Sequence, residues 1–323
     1  MRILICHYNP GQGGGAESAV KDQKQALEAL GHTVAVEYVH PDKAYARFKP
    51  DIVHFHTIHV GMGLKVLQWA QAREIPHCLS LHDYWPFCSD RMLLAHYDQP
   101  CSAVSGICNE QCESTPSDPE VTALVNGSPV VTFNEYSAAI YRRHGVRVDA
   151  IIPHGIDVEM FQPDYDRRDG VSIITSSAWA QYPTKGMHIF RAALQITGRK
   201  AKLIAGVSRE QVRDELQRAS IFIFPSCYEE TWGLCLTEAM ACGCACIASD
   251  VCGPRAQIEH EKTGLLVPPR DPQALSDAIE WLLYDEQMRD DMGLNACIWT
   301  RENCNLKRMG RDYEAFYEEV IHG

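Results

Sequence analysis

Residues 221–250, IFIFPSCYEETWGLCLTEAMACGCACIASD, hold a complete passage from strand through loop and helix to strand. Ile221–Phe224 is a short apolar run of β-branched and aromatic residues that reads as a buried strand, stopped by Pro225. A helix is expected from near Leu236 to Cys242, and Ala245–Ala248 reads as the next strand. A strand, helix, strand unit of this kind makes a parallel sheet covered by helices, with ligands at the carboxyl ends of its strands. The same alternation extends both ways. Val171–Thr175, Lys202–Ala205 and Gly264–Val267 are further strands, and Gly186–Ile196, Arg209–Arg218, Pro272–Tyr284 and Cys304–Ile321 are further helices. Before them, Arg2–His7, Thr33–Tyr38, Asp51–Phe55, His77–Leu81 and Val130–Phe133 read as strands. Ala16–Leu30, Leu64–Ala72 and Asn134–His144 read as helices. The Pro-, Gly- and Asp-rich stretch Pro153–Arg168 suits a hinge. The expected fold class is α/β, with two Rossmann-like domains whose parallel sheets face across a cleft. Residues 1–152 form the first, 153–303 the second, and 304–323 a last helix packing back toward the first.

The chain has 323 residues, of which 46% are hydrophobic and 22% charged, as in an ordinary folded protein. Thirty basic against 42 acidic side chains leave a net charge of −12, which excludes a nucleic-acid binder relying on phosphate neutralisation. No window approaches 18 uninterrupted apolar residues, and Met1–His7 is too short for a signal-peptide core, so a cytoplasmic location is expected. There the 14 cysteines stay reduced, which directs them to metal binding, packing or chemistry.

Glu230 and Glu238 place one carboxylate in the loop before a helix and the other in the expected first turn. Carboxylates accept hydrogen bonds from sugar hydroxyls, so two at this offset can hold two rings of one ligand. Backbone amides of Gly233 and Leu234 between them can bind phosphate. The plain alternative is a pair of surface charges compensating a helix dipole. The stretch Gly11–Ala16 sits between the first strand and the first helix. It reads equally as a tight turn, as a dinucleotide fingerprint with Glu37 on the ribose, or as another ligand loop. Asp164-Tyr165-Asp166 matches a D-x-D metal signature but falls in the hinge, where a solvated linker is expected.

The segment Pro225–Gly243, P-S-x-x-x-E-x-x-G-x-x-x-x-E-A-M-A-x-G in this chain, with its E-x7-E spacing from Glu230 to Glu238, resembles the retaining glycosyltransferase family 4 of GT-B fold. Further motifs carry the resemblance along nearly the whole chain: Gly14, Gly15 and Glu17 after the first strand, PDIVHFH at Pro50–His56 and LHD at Leu81–Asp83. PHGIDVEMF at Pro153–Phe161, Lys185-Gly186 and TGLLVPPRD at Thr263–Asp271 follow in order. The resemblance implies a sugar transferred with retention from a UDP- or GDP-linked donor to a glycan, lipid-linked or small-molecule acceptor, without a catalytic metal. Glu230, Lys185 and His82 would be the catalytic residues. Glu230 would contact the transferred sugar and Lys185 would neutralise the diphosphate. Gly14, Gly15, Gly206, Thr231, Trp232, Gly233, Leu234 and Glu238 would bind the donor, Glu238 through its ribose. Glu17, His56 and Asp83 would lie on the acceptor side. The family places an Arg shortly before the Lys-Gly pair; here Ser176-Ser177-Ala178-Trp179 precedes it, and Arg191 is poorly positioned to substitute.

Cys88, Cys101, Cys108 and Cys112 share the irregular loop 83–119. Four thiols there fit a structural Zn site, with an iron–sulfur cluster, free thiols or a disulfide as alternatives and His96 as a substitute ligand. Cys242, Cys244, Cys246 and Cys252 read as small packing residues. Tyr141-Arg142-Arg143-His144 with Arg147 forms a basic cluster that could approach an anionic membrane, or simply be a solvated helix end. Two other functions stay open. One is a nicotinamide-dependent oxidoreductase using Gly11–Ala16 and Glu37. The other is a non-catalytic sugar- or metal-binding module on the same fold.

Overall fold

The computed structural model describes residues 1–7, 14–58, 62–88, 94–95, 99–100, 119–168, 172–176 and 183–323. Gly11–Gly13, His96, Cys101, Cys108, Cys112 and residues 177–182 lie outside these. The first sheet has the order β2-β1-β3-β4-β7-β8, and its pairings are parallel. Its strands are β1 (Arg2–His7), β2 (Thr33–Glu37), β3 (Ile52–His56), β4 (His77–Ser80), β7 (Val130–Thr132) and β8 (Ala150–Ile151). A short antiparallel pair, β5 (Leu94–Ala95) with β6 (Gln99–Pro100), stands apart from it. Helices α1 (Gly15–Ala29), α2 (Pro41–Phe48), α3 (Lys65–Gln71), α4 (Pro119–Asn126) and α5 (Glu135–Arg143) make the connections. Asn134 caps α5 by accepting the Ser137 amide at 2.8 Å, as its place before the helical pattern predicts.

The second sheet is also parallel, in the order β10-β9-β11-β12-β13. It comprises β9 (Ile173–Ser176), β10 (Lys202–Ile204), β11 (Ile221–Phe224), β12 (Ala245–Ser249) and β13 (Leu265–Val267). The helices here are α6 (Met187–Thr197), α7 (Arg209–Arg218), α8 (Leu234–Ala241), α9 (Cys252–Gln257), α10 (Pro272–Tyr284) and α11 (Glu286–Asn303). Both central strands bury every residue, which is why their sequences show continuous apolar runs in place of alternation.

The chain divides into two compact units, one of Met1–Gly155 with Leu306–Gly323 and one of Ile156–Asn305. The last helix, α12 (Leu306–His322), belongs to the first unit and packs along α1. Its Met309, Tyr313, Phe316 and Tyr317 join Ile3, Ile5, Val20, Leu27 and Ile52 in one core. The second core gathers Phe190, Ile221, Ile223, Ile247, Leu265, Ile279 and Leu282.

Four helices, α2, α4, α9 and α11, fall outside the sequence expectations. α11 turns Arg289, Met292, Gly293, Ala296, Cys297 and Thr300 inward while Leu294 and Ile298 face solvent, so no continuous apolar stripe announces it. Asp285 ends α10 and caps α11 through the Met288 amide at 2.9 Å. The others are short, α2 and α4 of eight residues and α9 of six, too short for periodicity to register.

Because Phe316 is 7% exposed and Tyr284 is 91% exposed, their truncations should separate sharply. Phe316→Ala is expected to lower the stability of the first unit by about 3–5 kcal/mol through the cavity it leaves. Tyr284→Ala should stay within about 0.5 kcal/mol of the parent. Urea unfolding followed by circular dichroism measures both.

Candidate active site

In the second unit a 3-10 turn, Pro183–Lys185, leads into α6 through Gly186, whose φ of 69° is left-handed. A Cβ at that position would stand 1.7 Å from the Pro225 carbonyl oxygen, so only glycine allows the two backbones to touch. The Cys227 amide donates to the Thr184 carbonyl at 2.7 Å, tying the turn to the loop after β11. This contact aims Lys185 at the Glu230 carboxylate. Its Nζ lies 2.5 Å from Oε1 and 3.1 Å from the Tyr228 hydroxyl. Tyr228 donates to Oε2 of the same carboxylate and Ser226 donates to Oε1 at 3.2 Å, so both oxygens are engaged. Burial opposes the Lys185 charge, but the Glu230 carboxylate and the Tyr228 hydroxyl outweigh it and hold the ammonium above the ordinary lysine range. Burial and the charge of Glu230 push the Tyr228 phenol up, so it stays a donor at neutral pH. Tyr228 was missed in the sequence, although it lies two residues before Glu230.

Helix α8 begins at Leu234, so Glu238 falls in its second turn and not in the expected first. The first turn holds no acidic residue, and Gly233, with φ of 103°, caps it without a side chain. A Cβ on Gly233 would approach the Phe224 ring at 2.9 Å. Dipole compensation, the plain reading of the two glutamates, therefore does not apply, and the amides at the helix start face a position without a capping side chain.

Glu238 is held by Arg209, whose Nε donates at 2.8 Å while its guanidinium lies 5.1 Å from the Phe161 ring centre. Arg209 is a second cation that the sequence pattern does not single out, since it lies after Lys185 and not in the stretch before it. The signal was there in Ser208-Arg209-Glu210-Gln211, a capping box that starts α7 at Arg209. Gly206 follows β10 with φ of 67° and open space on its Cβ side. Thr231 and Trp232 are buried. The Trp232 indole donates to Thr237 at 3.0 Å, Thr237 to Gln257 at 2.7 Å, and the Gln257 amide to the Trp232 carbonyl at 2.8 Å. That ring ties α8 to α9 and turns the indole inward.

In the first unit, strand register gathers imidazoles. His7 lies opposite His56, His56 lies opposite Ser80, and His82 follows two residues later. His56 Nδ1 and His82 Nε2 are 2.8 Å apart, His154 stacks 5.5 Å from His82, and Phe133 stacks 3.8 Å from His154. Burial, reinforced by the surrounding imidazoles, holds His56 well below the usual histidine range. His54 and His154 are lowered by burial to about 3. Gly14 caps α1 without a side-chain hydrogen bond, and Gly15 has open space on its Cβ side. Glu17 pairs with Lys21 at 3.2 Å. Asp83 accepts the Trp85 amide at 3.1 Å, and its carbonyl accepts the buried Tyr141 hydroxyl at 2.8 Å.

Other sequence-singled residues have local partners. One Glu37 oxygen accepts the amides of Tyr38, Val39 and His40 at 3.0, 2.9 and 3.2 Å. Burial opposes those donors, yet they hold the carboxyl below its ordinary range, and this oxygen serves its own turn. In the basic cluster Tyr141 is buried, His144 stacks on Phe87 at 4.1 Å, and Arg142 and Arg147 pair with Glu135 and Asp149. Asp164 pairs with Arg167 at 2.9 Å in an exposed turn. Cys242, Cys244, Cys246 and Cys252 are buried free thiols, and burial raises Cys244 to about 12. Cys88 is buried as well. Among the described residues no group of three or more His, Cys, Asp or Glu could hold a metal ion.

Residues 191–299 match the family model described as "Glycosyl transferases group 1". The phosphatidyl-myo-inositol mannosyltransferase of Mycolicibacterium smegmatis is 31% identical over 173 residues, covering 44% of this chain and 45% of that protein. Among solved structures, sucrose-phosphate synthase from Thermosynechococcus elongatus superposes with a TM-score of 0.75 at 19% identity, over 99% of each chain. Anabaena HepE in complex with UDP-glucose gives 0.74 at 17% identity, over 98% of this chain and 100% of that one. The matched stretches span less than half the length of the curated relatives, from 9% to 45%. The chain therefore has the GT-B fold, and within it residues 191–299 match the glycosyl transferases group 1 model.

Proposed function

We propose that the protein is a retaining glycosyltransferase that moves a sugar from a UDP- or GDP-linked donor to a glycan, lipid-linked or small-molecule acceptor. The observation that carries this reading is the arrangement of Lys185, Tyr228 and Glu230, brought into contact in space although Lys185 lies 45 residues before Glu230, beside an α8 that lacks a capping side chain at its start. In this reading residues 153–303 bind the donor and residues 1–152 the acceptor. Glu230 orients the hydroxyls of the transferred sugar, and Lys185 neutralises the diphosphate. The amides of Gly233 and Leu234 receive phosphate oxygens, with Gly14 and Gly15 as a further donor contact. Glu238, fixed by Arg209, takes the ribose hydroxyls; Gly206, Thr231 and Trp232 line the donor through backbone atoms. His82 contacts the reacting sugar, with Glu17, His56 and Asp83 on the acceptor side.

The chemistry follows from charge. As the bond from the anomeric carbon to the phosphate oxygen breaks, negative charge grows on the leaving diphosphate. The Lys185 ammonium and the α8 amides are preorganised to meet it, and the contact strengthens as the charge develops. Lys185 must then exchange part of its bond to Glu230 for phosphate oxygen, while Tyr228 and Ser226 keep the carboxylate in place. Attack on the same face of the sugar gives retention. No step passes through a metal; a zinc held by Cys88, Cys101, Cys108 and Cys112 would be structural. That the structural neighbour HepE was solved in complex with UDP-glucose supports a nucleotide-sugar donor.

Glu230→Gln keeps the hydrogen-bonding shape and removes the charge, so transfer should fall by about 100-fold or more with the circular dichroism spectrum unchanged. Unaltered turnover would remove Glu230 from the reaction. A panel of UDP- and GDP-sugars should include one that raises the apparent melting temperature of the parent protein, since a ligand bound only by the folded state stabilises it. No shift with any of them would sink the transferase reading. The anomeric configuration of the product, read by proton NMR, should match that of the donor.

A further inference from the structure

The first unit buries more imidazole than the proposed reaction uses. His54 and His56 project from one face of β3 with ring centres 4.1 Å apart. The His54 ring is fully committed. Its Nδ1 lies 2.7 Å from the Tyr317 hydroxyl and 3.0 Å from the Gln23 amide nitrogen, and its Nε2 lies 2.8 Å from the Ser80 hydroxyl. The Gln23 amide nitrogen only donates, and it also reaches the Tyr317 hydroxyl at 2.8 Å. Nδ1 of His54 is thus the acceptor, and its proton sits on Nε2, pointing at Ser80. Tyr313 packs on the same ring at 5.4 Å. His54 is a fixed wall behind His56.

His56 is 1% exposed, and among the described residues its Nε2 has no hydrogen-bond partner. Its Nδ1 faces Nε2 of His82 at 2.8 Å. One proton lies between those two nitrogens, and its owner can be assigned. If His56 carried its proton on Nε2, that N–H would be buried without an acceptor, the costlier of the two orphans. With the proton on Nδ1, the orphan is only a lone pair. We infer that His56 is a positioning residue: it donates its Nδ1 proton to Nε2 of His82, orients that ring, and keeps it neutral with its own proton on Nδ1. This rests on the reading of His82 as a substrate-contacting residue.

To protonate His82 on Nε2, His56 would have to shift its proton to the orphaned Nε2. Among the described residues, the other groups acting on His56 add no compensating negative charge: His7 at the end of β1, His154 beside His82, and His54 with its Tyr313 and Tyr317 wall. Glu17 acts on His7, and Arg308 on α12 acts on His154, disfavouring a further cation. His82 therefore remains a neutral ring, aimed through a chain of contacts that runs back to α12.

Ring-nitrogen NMR of the 15N-histidine-labelled full chain reads the tautomers directly, with His56→Asn and His82→Asn used to assign the signals. At pH 7 both rings should be neutral with the proton on Nδ1; a proton on Nε2 of His56, or an imidazolium at His82, overturns the inference. For activity, His56→Phe should lower kcat by about tenfold or more with donor KM unchanged. It should also move the acid limb of the kcat profile up by about one pH unit, because the freed Nε2 of His82 takes a proton more readily. A lower kcat on the parent's acid limb would mean a merely structural role and overturn the inference. The His82→Asn variant separates the two claims. If it loses transfer while His56→Phe keeps the parent profile, positioning alone fails. If it transfers at the full rate, the role of His82 fails and positioning fails with it.

Discussion

The candidate donor site depends on a close approach between two backbones. Gly186 lies against the Pro225 carbonyl so tightly that no side chain fits between them, and the Thr184 to Cys227 hydrogen bond closes the same seam. Everything that acts nearby hangs from that seam: Lys185 on one side, Ser226, Tyr228 and Glu230 on the other. The charges can be buried together because they arrive paired. A lone ammonium in that position would face a desolvation cost of several kcal/mol, whereas here a carboxylate and a phenol surround it. The pairing also stores the cation in place, ready to be shared with an incoming anion.

The first unit solves a related problem without charge. Parallel strands in register bring the ends of β1, β3 and β4 together; β1 and β3 end on His7 and His56, and His82 follows β4 by two residues. Burial lowers the pKa of His7 and His56, so these rings serve as hydrogen-bonding spacers of fixed direction. The tyrosines of α12 supply the last partners. A helix more than 260 residues away in sequence from His54 thereby sets the wall behind His56.

Much of this was legible in the sequence, for identifiable reasons. Buried parallel strands are apolar throughout, so β1, β3, β11 and β12 announce themselves, and glycines at the turns mark where helices start. Glu230, Glu238 and Lys185 stood out through spacing. Tyr228 and Arg209 did not, because their roles arise from what they touch across 43 and 29 residues of chain respectively, and pattern carries no such information. His54 falls in the expected strand Asp51–Phe55, but its partners Gln23 and Tyr317 belong to helices whose faces are fixed only on folding. Helix α11 was invisible because its inward face mixes Met292, Ala296 and Cys297 with Arg289, Gly293 and Thr300, so no apolar periodicity shows.

The division of the chain adds a matter of timing. The second unit is continuous, whereas the first is interrupted after Gly155 and resumes at Leu306. On a ribosome the nested unit emerges whole while its host still lacks α12, and domains fold as units in the order they become complete. Until α12 arrives, Val20, Leu27 and Ile52 lack their cover and His54 lacks Tyr317. The unit that begins the chain is therefore the last to be finished, and its buried histidine pair assembles only once synthesis has passed residue 317.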